Sequence, residues 1–209
     1  MFAISVKKMR EADQYTINQG TPSKELMRRA AQGVFETYPG WIDAKILIVC
    51  GPGNNGGDGY ALASIMKDKD LDVTVLCVSD KVSEDGAFYL KQCKEKGVSI
   101  LSYGTDEVDF KSYQIIVDCI LGTGFQGIPR DPVASIIEEI NYARETADIY
   151  VISVDINSGM NGDTGEAEIA VVSDLTVSIG FYKNGLFSGK GPEMIGNLVN
   201  IDIGIVMPE

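Results

Sequence analysis

A chain of 209 residues has the length of one doubly wound α/β domain, which can fold around a hydrophobic core without disulfides or structural metals. Thirty acidic against eighteen basic residues give a net charge of −12, which argues against nucleic acid as a partner. Histidine is absent, which excludes Ser-His-Asp triads, Cys-His dyads and histidine-ligated zinc.

Two helices are predicted at the start of the chain. Apolar side chains recur at helical spacing over residues 6–17, and Gly20 ends the pattern. Thr21 and Pro22 provide an N-cap and a first-turn proline for a second helix, which runs to about residue 36. Because amphipathic helices can cover a face of a second copy of the chain, we expect a homodimer.

After these helices the chain alternates between apolar runs and segments of helical period. The apolar runs, typical of strands buried on both faces, are residues 46–50, 73–78, 115–117 and 150–154. The predicted helices between them are 58–67, 83–96 and 132–143. Two further β-like stretches, 174–180 and 198–203, complete the sheet at one side. The alternation predicts an α/β fold with a mostly parallel sheet, and residues 1–209 are expected to form one domain.

The cysteines and the hydropathy pattern indicate a compartment. The four cysteines form no C-x-x-C pair, and Cys50, Cys77 and Cys119 lie in or beside apolar runs, as small core residues do. Neither a leader peptide nor a run of about 18 apolar residues is present. We therefore expect a cytoplasmic protein with no membrane partner.

The first candidate binding loop, residues 51–60, follows the apolar run at 46–50. Gly51, Gly53 and Gly56 satisfy the G-x-G-x-x-G pattern of dinucleotide-binding turns, and Asp80 lies where a ribose-binding carboxylate would. A simpler interpretation is that the glycines only permit a tight turn between strand and helix. An anionic dinucleotide would need such a turn, because the acidic chain offers no field of lysines.

The polar side chains of this loop exceed the needs of a pyrophosphate turn. Asn54, Asn55 and Asp58 add amide and carboxylate oxygens that can bind a hard or monovalent cation. Alternatively, Asn54 and Asn55 are left-handed turn residues and Asp58 is a helix N-cap. The two interpretations are compatible.

Two other strands also end at carboxylates. Asp118 follows the strand at 115–117 and precedes a glycine-rich stretch, a second cradle of phosphate size; Asp155 follows the strand at 150–154 and precedes Ser158 and Gly159. A single strand-end aspartate is as often only a turn residue. The carboxyl ends of parallel strands share one sheet edge, however, and carboxylates gathered there raise each other's pKa. Asp155 is therefore the first candidate for a general acid or base.

Together, residues 54–59, 118–127 and 155–159 resemble the NAD(P)H-hydrate epimerase family, also called the YjeF N-terminal domain. The resemblance covers nearly the whole chain and includes Met9, Asp13 and Ile17 in the first helix. It implies a Rossmann-like three-layer α/β/α sandwich. It also implies an isomerase that interconverts the R and S forms of hydrated NADH and NADPH, NADHX and NADPHX, for repair by a separate dehydratase.

The resemblance assigns roles to individual residues. A potassium ion would be held by Asn55, Asp118 and Ser158, and Asp155 would bind the altered nicotinamide and act as acid and base. The substrate's phosphates and sugar would lie against Asn54, Asn55, Gly56, Gly57 and Asp58, and against Gly122, Thr123, Gly124, Phe125, Gln126, Gly127 and Ile128. The family usually has proline where Asn157 stands, which puts the rigidity of the third loop in doubt.

Two other functions compete with this one. A non-catalytic nucleotide-binding or assembly module could keep the fold, but it would have no need of the intact Asn-Asn-Gly-Gly-Asp-Gly hexamer with Asp118 and Asp155. An ordinary nicotinamide dehydrogenase would show hydride transfer, for which the chain has no histidine acid. The choice between NADHX and NADPHX depends on whether Asp80 contacts the ribose.

Overall fold

In the computed structural model, which describes residues 3–208, a seven-stranded parallel sheet lies between two layers of helices. The strands are β1 (Ala3–Ile4), β2 (Lys45–Cys50), β3 (Asp72–Cys77), β4 (Ser99–Ser102), β5 (Ile115–Cys119), β6 (Tyr150–Val154), β7 (Leu175–Ile179), β8 (Tyr182–Lys183) and β9 (Asn197–Ile201). The helices are α1 (Val6–Asn18), α2 (Ser23–Thr37), α3 (Asn54–Lys67), α4 (Glu84–Glu95), α5 (Val133–Ala147) and the short α6 (Gly191–Met194). Short 3-10 turns lie at Phe110–Ser112 and Asn184–Phe187.

The order of the strands positions the site. The large sheet runs β4-β3-β2-β5-β6-β7-β9, and β1 pairs with β8 in a separate parallel ladder. From β2 the chain moves outward through β3 to β4, and then returns across β2 to β5. The loops that follow β2 and β5 therefore leave the sheet in opposite directions and open a crevice between them.

Side chains of the central strands alternate between the two helical layers. Ile46, Ile48 and Cys50 of β2 pack with α1, α2, α3 and α4, whereas Leu47 and Val49 pack with α5 on the other face. Alternation with burial on both faces explains the continuous apolar runs of the sequence. The predicted mostly parallel three-layer sandwich and its two N-terminal helices are confirmed.

Several predicted boundaries were wrong. Helix α3 begins at Asn54 rather than at residue 58, with Gly53 at the N-cap, so Asp58 is not the cap and Asn54 and Asn55 are helical rather than left-handed. Helix α2 begins at Ser23 with Pro22 at the N-cap position, so Thr21 is not the cap. Strand β5 extends through Cys119, which places Asp118 inside the strand.

The four thiols behave as small core residues. Cys50, Cys93 and Cys119 are buried, Cys77 is half-buried, and none forms a disulfide. Burial raises the pKa of each thiol, to about 12 for Cys93. The prediction made for Cys50, Cys77 and Cys119 is thus confirmed, and Cys93 on α4 joins them.

The helices bear on two kinds of partner, a second copy of the chain and a membrane. The apolar faces of α1 and α2 are buried against the chain's own core, so the homodimer stays a prediction. Over residues 3–208, no helix combines the length and the apolar character needed to cross a bilayer.

Candidate functional site

A cavity of about 540 Å³ occupies the crevice beyond the carboxyl ends of β2 and β5. Its walls come from α1, α2, the first turns of α3, the loop after β5, and Asp155 after β6. Predicted site residues that border it are Asn54, Asn55, Asp58, Gly122, Thr123, Gly124, Phe125 and Asp155. The structure thus brings the three candidate loops to one place.

Not every predicted substrate contact borders this cavity. Gly56 and Gly57 are buried within α3, and Gln126, Gly127 and Ile128 lie beyond the cavity rim, with the Ile128 side chain 54% exposed. Their contacts with substrate stay predictions. Asp80 is exposed and is not part of the wall either, so the structure does not favour NADHX or NADPHX through it.

The glycines after β2 serve close packing of backbone on backbone. A Cβ at Gly51 would lie 1.8 Å from the carbonyl oxygen of Ile120, and a Cβ at Gly56 would lie 1.9 Å from that of Gly51. At Gly59 a Cβ would come within 2.7 Å of the Cys50 Sγ atom. Because these three positions lack a side chain, the first turn of α3 can pack directly on the ends of β2 and β5. Gly53, Asn54 and Asn55 at this helix end border the cavity, and the free N–H groups of a helix N-terminus suit an anionic group.

Asp155 lies where β6 turns into the third loop. Its backbone is left-handed, with φ 69°, and its N–H donates to the carbonyl oxygen of Val177 over 2.8 Å. The carboxylate accepts hydrogen bonds from the Lys183 ammonium and, over 3.4 Å, from the backbone N–H of Ile179. Strain of this kind at a cavity-facing carboxylate marks it as a candidate catalytic group.

Lys183 is the functional residue that the sequence analysis missed. Its side chain is fully buried, and the ammonium donates to Asp155, to the Ile179 carbonyl oxygen over 2.7 Å and to the Ser178 hydroxyl over 3.4 Å. A lone lysine followed by Asn-Gly normally indicates an exposed turn. The only available signal was the apolar and glycine-rich surroundings of residues 179–187.

Two further carboxylates face Asp155 across the cavity. Burial, reinforced by the charges of Asp155 and Asp13 and opposed by Lys183, raises the pKa of Asp58 well above its ordinary value. Burial and then the charge of Asp155 raise the pKa of Asp13 to about 6, again opposed by Lys183. At these two residues the charge of Asp155 thus adds to the effect of burial, whereas the mutual effect predicted for the strand-end carboxylates Asp118 and Asp155 stays a prediction.

Asp118 lies beneath the cavity rather than on its wall. Its carboxylate is fully buried and accepts hydrogen bonds from the Ser158 backbone and hydroxyl, the Ile120 N–H and the Ser153 hydroxyl. Desolvation raises the pKa of Asp118, and these donors oppose the rise. Asp118 therefore joins the loop after β5 to the loop after β6.

The residues predicted to hold a cation meet at the loop after β5. The Asn55 side-chain amide donates to the Leu121 carbonyl oxygen over 3.0 Å, and the Leu121 N–H donates to the Ser158 hydroxyl over 2.8 Å. The Asn55 Oδ1 atom is buried and has no hydrogen-bond partner. Among residues 3–208 no cluster of three histidine, cysteine or acidic side chains suits a transition metal. One carboxylate with neutral oxygens fits a monovalent cation better.

Asn157 fixes the third loop through its side chain. Its amide NH₂ donates to the Val171 carbonyl oxygen, the Ser173 hydroxyl and the Met194 carbonyl oxygen, all within 3.0 Å. Its Oδ1 atom accepts from the Thr176 hydroxyl over 2.9 Å. These contacts tie a fully buried amide to neighbouring segments of the chain, so the side chain of Asn157 anchors the loop where a proline would fix its φ angle.

The chain is similar to known proteins over nearly its whole length. The family described as "YjeF-related protein N-terminus" matches residues 23–185. The chain is 34% identical to the NAD(P)H-hydrate epimerase of Weissella koreensis, over 99% of this chain and 93% of that protein. It is 35% identical to the NAD(P)H-hydrate epimerase of Oenococcus oeni, over 98% of both.

The chain also matches a longer relative and a protein of known structure. The bifunctional NAD(P)H-hydrate repair enzyme Nnr of Coxiella burnetii is 33% identical over 95% of this chain, which spans only 41% of that enzyme. The crystal structure of the yeast protein YNL200c superposes with a TM-score of 0.79 at 25% identity, covering 96% of this chain and 87% of the yeast chain.

Proposed function

The chain belongs to the family of YjeF-related protein N-termini, and from this premise we propose that it is an NAD(P)H-hydrate epimerase in which Asp155 acts as acid and base. The substrate is hydrated NADH or NADPH, whose R and S forms it interconverts. The observation that carries the proposal is the position of Asp155. This carboxylate, strained and paired with a buried lysine, lies in the same cavity as a helix N-terminus that suits a pyrophosphate.

The chemistry needs only proton transfer at the C6 hydroxyl of the damaged ring. Protonation lets the hydroxyl leave as water, while the lone pair of the ring nitrogen stabilises the cation that remains. Water then adds to the opposite face and gives up a proton. A carboxyl group within hydrogen-bond reach can assist both steps, and such assistance typically contributes about 10² to 10⁴ in rate.

Potassium completes the proposed site. Asn55, Asp118 and Ser158 would hold the ion, and the unpartnered Asn55 Oδ1 atom supports this assignment. When bound, the ion would offset the negative charge of Asp118 and stabilise the two loops that Asp118 joins. The protein side chains, not the ion, carry out the proton transfers.

The wider setting follows from the relatives and the thiols. Because Nnr proteins are named bifunctional repair enzymes, we expect the product to pass to a dehydratase. The four unpaired thiols suit a reducing cytoplasm.

The decisive experiment is chiral chromatography of the purified R form after incubation with the wild-type protein or with Asp155→Asn. Asparagine tolerates the left-handed backbone, so this variant should fold and fail to interconvert the two forms. Asp72→Asn, at the exposed first residue of β3 and so at the opposite end of the sheet from the cavity, is the matched control for loss of a carboxylate. Unchanged interconversion by Asp155→Asn would remove Asp155 from the mechanism.

A further inference from the structure

The ion pair of Asp155 raises a question about where the reaction's proton comes from. The Lys183 ammonium is fully buried and donates to the Asp155 carboxylate. An ammonium partner stabilises the charged form of a carboxylate, which is the form that accepts a proton. A leaving hydroxyl needs a group that already holds a proton, so a second residue is required.

Asp58 meets this requirement by its position. It lies in the second turn of α3, borders the same cavity as Asp155, and has no hydrogen-bond or ion-pair partner within residues 3–208. The charged groups that act on it are Asp155 from the loop after β6, Asp13 from α1 and Lys183 from β8. Two of these three are carboxylates, and the one cation is already bonded to Asp155. The surroundings of Asp58 thus favour its neutral form.

We propose that Asp58 is a second catalytic residue, which donates the proton that releases the C6 hydroxyl, while Asp155 accepts the proton of the water that adds to the opposite face. This inference rests on the proposed epimerase function and refines it, because in the R-to-S direction the acid role passes from Asp155 to Asp58. Two carboxyl groups in different environments are a recurrent way of dividing acid and base roles.

The proton and electron balance closes without a co-reactant. The Asp58 O–H bond breaks and its proton goes to the hydroxyl oxygen, the C6–O bond breaks, and water departs with the bonding pair. The nitrogen lone pair forms a double bond to C6. Water attacks the other face, the nitrogen regains its lone pair, and Asp155 takes the surplus proton. Transfer of that proton back to Asp58 restores the starting state.

Asp13 is a weaker candidate for the donor. The pKa of Asp13 rises only to about 6, so this carboxyl is mostly ionised near neutral pH, whereas the pKa of Asp58 is raised well above its ordinary value. We expect Asp13 to act on Asp58 through its charge. Arg10 and Asp85 also border the cavity, from α1 and α4, but neither is among the groups that act on the carboxyl of Asp58.

The test is the pH dependence of kcat for R-to-S conversion, measured by chiral chromatography with an enzyme-free blank at each pH. If Asp58 is the donor, wild-type kcat should fall toward alkaline pH as this carboxyl loses its proton. Asp58→Asn should lower kcat about 100-fold or more and lack this alkaline fall. Asp58→Glu should recover part of the rate together with an alkaline fall at a shifted pH, which a merely structural role would not produce. Asp85→Asn, another carboxylate of the wall, should keep the fall.

The possible outcomes distinguish failure of the proposed epimerase function from failure of the role proposed for Asp58. If wild-type protein does not epimerise the substrate, the proposed function fails. If wild-type is active and Asp58→Asn keeps the alkaline fall, or raises only KM, Asp58 is not the donor. Loss of the fall in Asp13→Asn alone would assign the role to Asp13 and overturn the proposal. If Asp58→Asn melts before assay, the profile of Asp58→Glu decides, because an unshifted alkaline fall in that variant excludes Asp58.

Discussion

Asp155 shows how much of the site depends on one backbone angle. Its φ of 69° turns the chain so that the carboxylate meets Lys183, although the backbone N–H still bonds β7. Aspartate and asparagine tolerate the left-handed region better than most other residues that carry a side chain. A substitution such as Asp155→Val would thus disturb the backbone of the loop as well as remove the carboxylate, whereas Asp155→Asn replaces the carboxylate and keeps the backbone conformation.

Arg10 is the exposed cation of the cavity wall. A Cβ built at Gly124 would lie 3.5 Å from the Arg10 guanidinium, and within residues 3–208 no carboxylate pairs with Arg10. We expect Arg10 to contact the substrate's phosphates, so Arg10→Gln should raise KM about tenfold with kcat little changed.

Salt and a neighbouring variant control this prediction. The difference in KM should shrink at high ionic strength, since exposed charges are screened. Lys8→Gln, on the same helix but outside the wall, should leave KM unchanged. Equal KM values for Arg10→Gln and wild-type protein would show that phosphate binding does not involve Arg10.

Asp13 should make the stability of the protein depend on pH. Its pKa is raised from 3.8 to about 6, mainly by burial, so the folded protein holds this proton more tightly than the unfolded chain. The associated stabilisation is present below about pH 4 and is lost as the pH rises to about 6. Asp13→Asn should therefore raise Tm at pH 7.5 and leave it nearly unchanged at pH 4.

Thermal unfolding of matched variants checks the sign. Asp72→Asn, on the exposed start of β3, should shift Tm by a similar small amount at both pH values. A Tm gain for Asp13→Asn that is the same at pH 4 and at pH 7.5 would mean that the carboxylate's charge is not the cause.

At the scale of the element, the first turn of α3 allows almost no added atom. Gly56→Ala would place a Cβ 1.9 Å from the backbone oxygen of Gly51, so we expect a loss of about 3 kcal/mol or more in the free energy of unfolding. Gly53→Ala is the matched control, because a Cβ there meets nothing within 4 Å and its φ is −90°. Urea unfolding compares the two variants, and similar losses at both positions would contradict the packing argument.

Most of the sheet could be predicted because its strands are apolar on both faces. Strands β2, β3, β5 and β6 were found from their apolar runs, whereas β4 was missed because only Ile100 and Leu101 of its four residues are apolar. The start of α3 was misplaced because asparagine and glycine are poor helix formers, and here packing on the sheet overrides that preference.

The site was predictable where a strand end carries a carboxylate or a glycine. Asp118 and Asp155 met that rule, although the first proved to be buried beneath the cavity. Lys183 did not meet that rule, because it lies in the two-residue strand β8. Its side chain reaches back to the end of β7. Such a contact depends on tertiary structure, and no local pattern predicts that a lysine will be buried.

At the scale of the whole molecule, the negative charge of the chain has to be compatible with an anionic substrate. The chain carries a net charge of −12 and yet is proposed to bind a dinucleotide. The crevice between the loops after β2 and β5 would allow this, because the N-terminus of α3 and one arginine border it and suit an anion.

A cation that joins two loops should stabilise the entire fold. We expect Tm to rise in potassium chloride relative to choline chloride at equal ionic strength, because an ion that binds only the folded protein adds about 1.4 kcal/mol per tenfold excess over its Kd. Asn55→Ala should abolish this rise, whereas Asn54→Ala, which alters the cavity wall but not the proposed ligands, should keep it. Identical melting in the two salts would argue against a potassium site.

The buried thiols provide an internal probe of how the sheet opens. Cys50, Cys77 and Cys119 lie on adjacent central strands, and Cys93 lies on α4, which packs on α3, the helix that covers these strands. Since burial withholds both access and the reactive thiolate, an alkylating reagent can modify Cys50, Cys93 and Cys119 only after the covering layers separate. The rate of alkylation at each of these sites therefore records how often that part of the folded protein exposes its interior.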